Sequence, residues 1–437
     1  MDDSQSDNEL GSTTSETMNL RRRLASITPL PLKTLVHDRL SRAKEARMLR
    51  AKSRFRRNRT SGVKTSLQFP QGVNLVGYTR GQLGLGVIAR GMASALASAN
   101  VAFNILNINS LNPFPHTDLT WAHKEVSTSD YDTTVVCMNP DYSPYLRTYL
   151  PSEMIGDRYV IGNWFWELED IPDEWLKELE YIDEIWASSR FIETAISKKV
   201  SVPVTYIPPV VKLNSDTNVS RRSLGLPEHA YLFLAMFDTN SILQRKNPLG
   251  VVQAFKNAFQ GDDNGVALIM KFNNPDYNQP DLQKVIEQIE SHQNILLLDK
   301  VMARDEITSL FKEANCFVSL HRSEGFGLGP AEAMSLGKPA ILTNWSGNTD
   351  YMTSDNSIAI DYELVKLGQD YGPYKAWQQW AEPDLEQAAY WMKRIVQDSE
   401  LAQRIGTRAR ETIESQFSPA VVGKIITSRL EQCRSGF

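Results

Sequence analysis

Two glutamates eight positions apart, Glu324 and Glu332, bracket three alternating glycines, Gly325, Gly327 and Gly329. The block His321–Pro339 that holds them lies between an apolar run ending at Leu320 and another beginning at Ala340. That pattern predicts strand, turn, helix, strand. Without side chains, the glycines let backbone N–H groups approach a ligand closely. Pro330 falls in the first turn of the predicted helix, where proline is tolerated. The helix N-terminus offers unpaired donors and a partial positive charge, which suits a phosphate. A carboxylate accepts from two neighbouring hydroxyls, so Glu324 in the loop and Glu332 about two turns along suit two parts of one extended, hydroxyl-rich ligand. Retaining hydrolysis of a glycoside would instead need two carboxylates roughly 5 Å apart, which a separation of two turns does not provide.

Three further stretches have chemical potential. Arg245-Lys246-Asn247-Pro248 puts two cations at the start of a helix, where they could stabilise a departing anionic group. Gly81-Gln-Leu-Gly-Leu-Gly86 is a glycine-rich turn in which Gly84-Leu-Gly86-Val-Ile-Ala89 matches a dinucleotide fingerprint, a weak match on its own. It starts three residues after Tyr78, and the next strand ends in Asn107 and Asn109 with no acid for a cofactor ribose. Asn163-Trp-Phe-Trp-Glu-Leu-Glu-Asp170 sets aromatic rings beside carboxylates, either as a wall for a sugar or as core packing by Trp164 and Trp166. His116 and His123 stand alone between predicted strands. No His/Cys cluster has metal-ligand spacing, so no metal is expected.

The elements that must position these residues alternate strand and helix from residue 73 onward. Continuous apolar strands in such an order predict mostly parallel sheets covered on both faces. The expected division is a leader at 1–65, read as a disordered acidic and basic tail, and a first Rossmann-like domain at 66–212. A linker at 213–229 leads to a second such domain at 230–417, and helix 418–437 returns to complete the first. Ligands of open parallel sheets bind outside the carboxyl ends of the strands, so the cleft between the domains is the expected site.

The 437 residues are 41% hydrophobic and 23% charged, with a net charge of −5, which argues against nucleic acid as a partner. The basic charge is concentrated: residues 21–60 carry fourteen Lys or Arg against only Asp38 and Glu45. This leader is a candidate for contact with an anionic membrane surface. No apolar run is long enough to span a bilayer, and the N-terminus does not read as a secretory signal. Of Cys137, Cys316 and Cys433, the two in apolar strand-like runs read as buried thiols, which fits a reducing cytoplasm, with attachment at the inner face of the membrane through the leader.

Glu-x₇-Glu within Ser323-Glu-Gly-Phe-Gly-Leu328, followed by Glu332-Ala-Met-x-x-Gly-Lys-Pro339, resembles glycosyltransferase family 4. The likeness continues through Thr343–Asp350 and Trp380-Ala-Glu-Pro-Asp384, which is similar to a subgroup of bacterial polysaccharide assembly. It implies an α/β protein of the GT-B fold: two Rossmann-like domains with parallel sheets facing across a cleft, and C-terminal helices. The implied activity is transfer of a hexose, with retention, from a UDP- or GDP-sugar to a glycan or lipid-linked oligosaccharide, without metal or cofactor. By this resemblance Glu324 binds the donor sugar and Glu332 the ribose, while the amides of Gly325, Phe326, Gly327 and Leu328 hold sugar and diphosphate. Lys246 and Arg245 would meet the diphosphate, Gly84 and Gly86 would approach it across the cleft, and Val301 would lie by the base. Many members place a first-domain histidine near the donor sugar. None stands here, which leaves Glu167 and Asn139 as substitutes and Trp166 as an auxiliary acceptor contact. The alternatives are a nicotinamide-dependent oxidoreductase using Gly84 and Gly86, and a sugar- or nucleotide-binding scaffold without turnover.

Overall fold

A computed structural model describes residues 30–60, 69–109, 115–213, 219–259, 265–300 and 302–435. The first domain holds a six-stranded sheet of order β2-β1-β3-β4-β5-β6, every pair parallel. Its strands are β1 Val73–Gly77, β2 Phe103–Asn107, β3 Thr133–Val136, β4 Tyr159–Trp164, β5 Glu184–Ala187 and β6 Val204–Tyr206. The second domain repeats the plan in the order β12-β11-β10-β7-β8-β9. These strands are β7 Tyr231–Asp238, β8 Val266–Asn273, β9 Ile295–Leu298, β10 Cys316–Ser319, β11 Ala340–Thr343 and β12 Ile358–Ile360. The central strands β1, β3, β4, β5, β10 and β11 are buried along their whole length, as a sheet covered on both faces requires.

The strand orders decide where a ligand can sit. Sheet two grows from β7 through β8 to β9, and the chain then crosses back so that β10 adds on the other side of β7. Crossovers that leave in opposite directions part the loops at the carboxyl ends of β7 and β10, and the crevice opens there. In sheet one the same reversal falls between β1 and β3. Residues 243–246 follow β7, Glu324 follows β10 and the glycine turn follows β1. Three segments far apart in sequence therefore converge on one cleft.

Helix α1 (Leu30–Thr60) departs from the sequence expectation of a disordered leader. From Lys44 onward its side chains are docked on the first domain. Met48 and Phe55 are buried, and so is Lys52, whose ammonium pairs with Asp183 and donates to the Arg158 carbonyl at 2.8 Å. The run is too basic to form a core by itself. It gains order because Asp183, just before β5, receives Lys52 and Arg56, while Arg147, itself held by Glu178, receives Glu45 of the helix. Residues 1–29 and 61–65 of the leader lie outside the described residues.

Helix α2 (Gly84–Ser98) follows β1 and packs on the last helix of the chain, Pro419–Ser435. Small residues make this possible: a Cβ on Gly423 would lie 2.5 Å from the Ala95 carbonyl oxygen. The antiparallel hairpin β13 (Tyr362–Lys366) and β14 (Gln379–Pro383) had no counterpart in the sequence reading. Cys137, Cys316 and Cys433 are all buried, and none of them is in a disulfide.

Candidate active site

The second domain builds its site on the exit of β10. Asn247 adopts a left-handed conformation (φ 54°), ending the short helix α3 (Leu243–Lys246) and capping α4 (Pro248–Ala258) through Gly250 N–H at 3.2 Å. Its side-chain amide also donates to the Leu320 carbonyl at 2.8 Å. The Arg-Lys-Asn-Pro run is thereby fastened to the end of the strand that launches Glu324. The Lys246 ammonium donates to Glu324 Oε1 at 2.5 Å. Arg245 lies 3.4 Å from Glu324 Oε2 and 3.7 Å from Glu167 Oε1.

Within this pair of cations the roles divide. The side chain of Lys246 is 22% exposed, whereas Arg245 is 4% exposed and donates to the Ser323 carbonyl at 2.7 Å. Lys246 is the cation that a ligand in the cleft can meet. Arg245, expected to contact the leaving group, sits behind Glu324 and positions it. Burial alone would raise the Glu324 carboxyl, but Lys246 and Arg245 outweigh it and hold the group down at about 2. Its charged form thus supports folding fully above the ordinary glutamate value of about 4.3, and that support is lost as pH falls toward about 2. A carboxylate so poised is an ion at neutral pH and donates no proton there.

The loop around Glu324 is fixed from several sides. Ser346 Oγ accepts from Glu324 N–H at 2.8 Å, and Gly347 N–H donates to the Glu324 carbonyl at 2.9 Å. His321 is buried between Ser319 Oγ (3.0 Å) and Asn348 Oδ1 (2.8 Å), with burial lowering its pKa, so a neutral ring ties the β10 loop to the β11 loop. Arg322 forks onto Glu382 of β14 at 2.6 and 2.9 Å. Sequence reading gave neither His321 nor Arg322 a role. The signal was present in the charge pair Arg322 and Glu382, but nothing in the sequence says that they meet.

Gly327 has φ 83°, a conformation that suits glycine, and it opens the helix Leu328–Ser335. The amides of Phe326, Gly327 and Leu328 lie at that helix start, where first-turn N–H groups have no intrahelical acceptor. The Phe326 ring is turned inward against Tyr351 and Phe417. Glu332 is buried and pairs with Arg304, the first residue of helix Arg304–Glu313 after β9. Glu324 and Glu332 therefore have different cationic partners and do not face each other as a pair.

The first domain closes the cleft. Arg90 donates to the carbonyls of Thr79 and Gly81, both at 2.9 Å, and lies 3.1 Å from Asp118, which locks the glycine turn. Burial lowers the Arg90 pKa, and the charges of Asp118, Arg304 and Glu332 also act on it. A Cβ on Gly86 would lie 2.2 Å from the Gly81 oxygen, while Gly84 has nothing within 4 Å and faces open space. Glu167 accepts from Tyr374 at 2.7 Å and joins the Arg245 cluster. A Cβ on Gly325 would come within 2.8 Å of the Trp166 carbonyl oxygen, so the two domains touch backbone to backbone beside Glu324.

Residues 218–362 match the sequence model of the family described as Glycosyl transferases group 1. No curated protein sequence matches the chain. Among solved structures, Anabaena HepE in complex with UDP and glucose is similar at 13% identity and TM-score 0.58, over 83% of this chain and 100% of that one. Sucrose-phosphate synthase from Thermosynechococcus elongatus is similar at 14% identity and TM-score 0.59, over 84% of this chain and 100% of that one. A glycosyltransferase from Rickettsia africae gives 14% identity and TM-score 0.58, over 83% and 99%. The fold is GT-B.

Within the GT-B cleft, two auxiliary residues differ from the sequence expectation. Trp166 is buried, packs on Trp175 and Tyr374, and donates its indole N–H to the Asp170 carbonyl at 2.8 Å. It and the buried Trp164 are core residues that support the Glu167 loop and present no face to a sugar. Asn139 accepts from Phe165 N–H at 2.8 Å and so holds the same loop. His116 is bridged to Gly81, and His123 stacks on Trp121. Val301 lies outside the described residues. Among the described residues no group of three or more His, Cys, Asp or Glu is placed to hold a metal ion.

Proposed function

We propose that the protein is a retaining hexosyltransferase that moves a sugar from a UDP-sugar, or a GDP-sugar, to a hydroxyl of a glycan or lipid-linked oligosaccharide. The observation that carries this reading is the Glu324 carboxylate held ionised between Lys246 and Arg245 at the mouth of the cleft. Glu324 would accept hydrogen bonds from the donor sugar, and Lys246 with the Leu328–Ser335 helix start would stabilise the diphosphate as it leaves. Glu332, set by Arg304, suits a ribose. The C1–phosphate bond breaks and the C1–acceptor bond forms on the same face, and a donor phosphate oxygen takes the acceptor proton. No protein base is required, which agrees with a Glu324 that stays charged. Lys246 and the helix start supply the positive charge that the leaving group needs, so the reading includes no metal or cofactor. HepE and its UDP complexes favour uridine as the base.

Thermal stability against UDP, GDP, ADP, TDP and NADH tests this reading. A ligand at 100 times its dissociation constant adds about 2.7 kcal/mol, a measurable rise of several degrees at most. A shift with UDP or GDP is the expected result. A shift with NADH alone would move the chemistry to the glycine turn after β1.

The reading extends to a membrane surface at the inner face of a cytoplasmic membrane. Arg47, Arg50 and Arg54 recur at helical spacing on the exposed side of α1, away from the docked Met48 and Lys52. Each such charge near an anionic bilayer contributes about 1 kcal/mol. Among the described residues no helix is long and apolar enough to cross a membrane. The full chain is expected to float with phosphatidylglycerol vesicles and not with phosphatidylcholine ones, and the triple Arg→Glu variant should stay behind. Flotation unaffected by the triple change removes the membrane role.

A further inference from the structure

A second concave site lies in the cleft, on the far side of the loop that fixes Glu324. It is a groove of about 420 Å³ between helix Arg190–Ser197 of the first domain and the loops that follow β11 and β12. Three aromatic rings line it: Phe191, Trp345 and Tyr362. Trp345 stands between the other two, 5.5 Å from Phe191 and 5.2 Å from Tyr362 by ring centroids. Its indole N–H is buried without an acceptor among the described residues. Glu169, Lys198 and Asn344 supply polar groups around the rings.

The backbone shows why Trp345 is presented there. Trp345 N–H donates to the Thr343 carbonyl at 2.9 Å, a tight turn, and Ser346 is then forced to φ 75°. Such a conformation is uncommon for a residue with a side chain and persists only where the surroundings impose it. Here the Ser346 hydroxyl is turned to the Glu324 N–H, while the neighbouring ring lines the groove. One turn thus links the two sites.

Sheet order gives the groove its direction. Lys246 follows β7 and Arg304 follows β9, on one side of β10, whereas the groove is built from the exits of β11 and β12 on the other. The nucleotide end and the groove therefore flank the Glu324 loop. Rings that can lie against pyranose faces, ringed by donors and acceptors for hydroxyls, fit a carbohydrate.

We infer that this groove is a glycan subsite, which holds sugar units of the acceptor remote from the hydroxyl that reacts. The inference rests on the transferase reading above. Remote binding of this kind can be used to position the reacting group.

The test is direct binding, independent of turnover. Saturation-transfer NMR on the full chain would use maltotriose, cellotriose, mannotriose and chitotriose, each with and without saturating UDP. At least one trisaccharide should give signals in the presence of UDP, persist in Glu324→Gln and weaken about tenfold or more in Trp345→Ala. Lys198→Ala combined with Asn344→Ala alters only exposed side chains and should weaken the same signals even if Trp345→Ala fails to fold. Absence of signal from all four sugars, signals unchanged by both variants, or signals abolished by UDP would each overturn the subsite. If UDP stabilises the protein while no trisaccharide binds, the groove assignment alone falls.

Discussion

Glutamine at position 324 is expected to lower kcat/KM by roughly 10²–10³, the size of effect seen when one preorganised electrostatic contact to a transition state is removed. UDP release from UDP-glucose in the presence of acceptor is the readout, and activity within threefold of the parent would remove Glu324 from its assigned role. From the sequence, this change is expected to cut turnover far more than folding stability. The structure adds a cost in stability. Glu324 is 8% exposed and is the shared partner of Lys246 and Arg245. Removing one member of a buried ion cluster leaves charge uncompensated, with a cost that reaches about 3 kcal/mol when no partner remains. Glu167 still faces Arg245, so the loss should be smaller than that. The rate effect and a modest fall in Tm are therefore expected together, and Glu324→Gln kinetics should be measured well below the shifted Tm.

Alanine at position 347 should be worse for the fold than any change of charge in the site. A Cβ there would lie 2.0 Å from the Gly325 carbonyl oxygen and 2.8 Å from Phe326 N, both backbone atoms that cannot swing aside. The β10 and β11 loops would have to separate, breaking the bond from Gly347 N–H to the Glu324 carbonyl. A cost on the order of 3 kcal/mol, the upper end for overpacking, is expected in urea melts, with activity lost at temperatures where the chain remains folded. Gly84→Ala is the matched control. Nothing lies within 4 Å of a Cβ at that position, at the start of α2, so its stability should change by less than about 0.5 kcal/mol. Equal losses in the two variants would mean that the close packing of the two loops is not what fixes Glu324.

The strand and helix alternation was legible because strands buried on both faces are written as continuous apolar runs, and the Gly-Phe-Gly-Leu turn because its glycines are spaced for a helix start. Two aspects of the leader and the aromatic segment were not legible. Helix α1 looked disordered because its order depends on acids more than a hundred residues away, such as Asp183. Trp166 looked equally suited to a sugar wall and to a core. Its neighbours Trp175 and Tyr374 decide between them, and Tyr374 is two hundred residues distant. The hairpin that carries Glu382 was missed, and with it the fork that holds Arg322.

By itself the sequence determined which residue types were available and how each local segment folds: the glycine turns, the helix starts, the Arg-Lys pair and the two glutamates on one strand-loop-helix unit. Local spacing fixes these because backbone conformation and helix capping act over a few residues. Only the tertiary structure decided their partners. The reversal of strand order at β7 and β10 brings Lys246 to Glu324 across 78 residues of sequence. The arrival of Arg304 after β9 gives Glu332 a cation of its own. The ionisation of Glu324 follows from that assembly, because an electrostatic environment depends on distances through space that the spacing of residues along a chain does not encode.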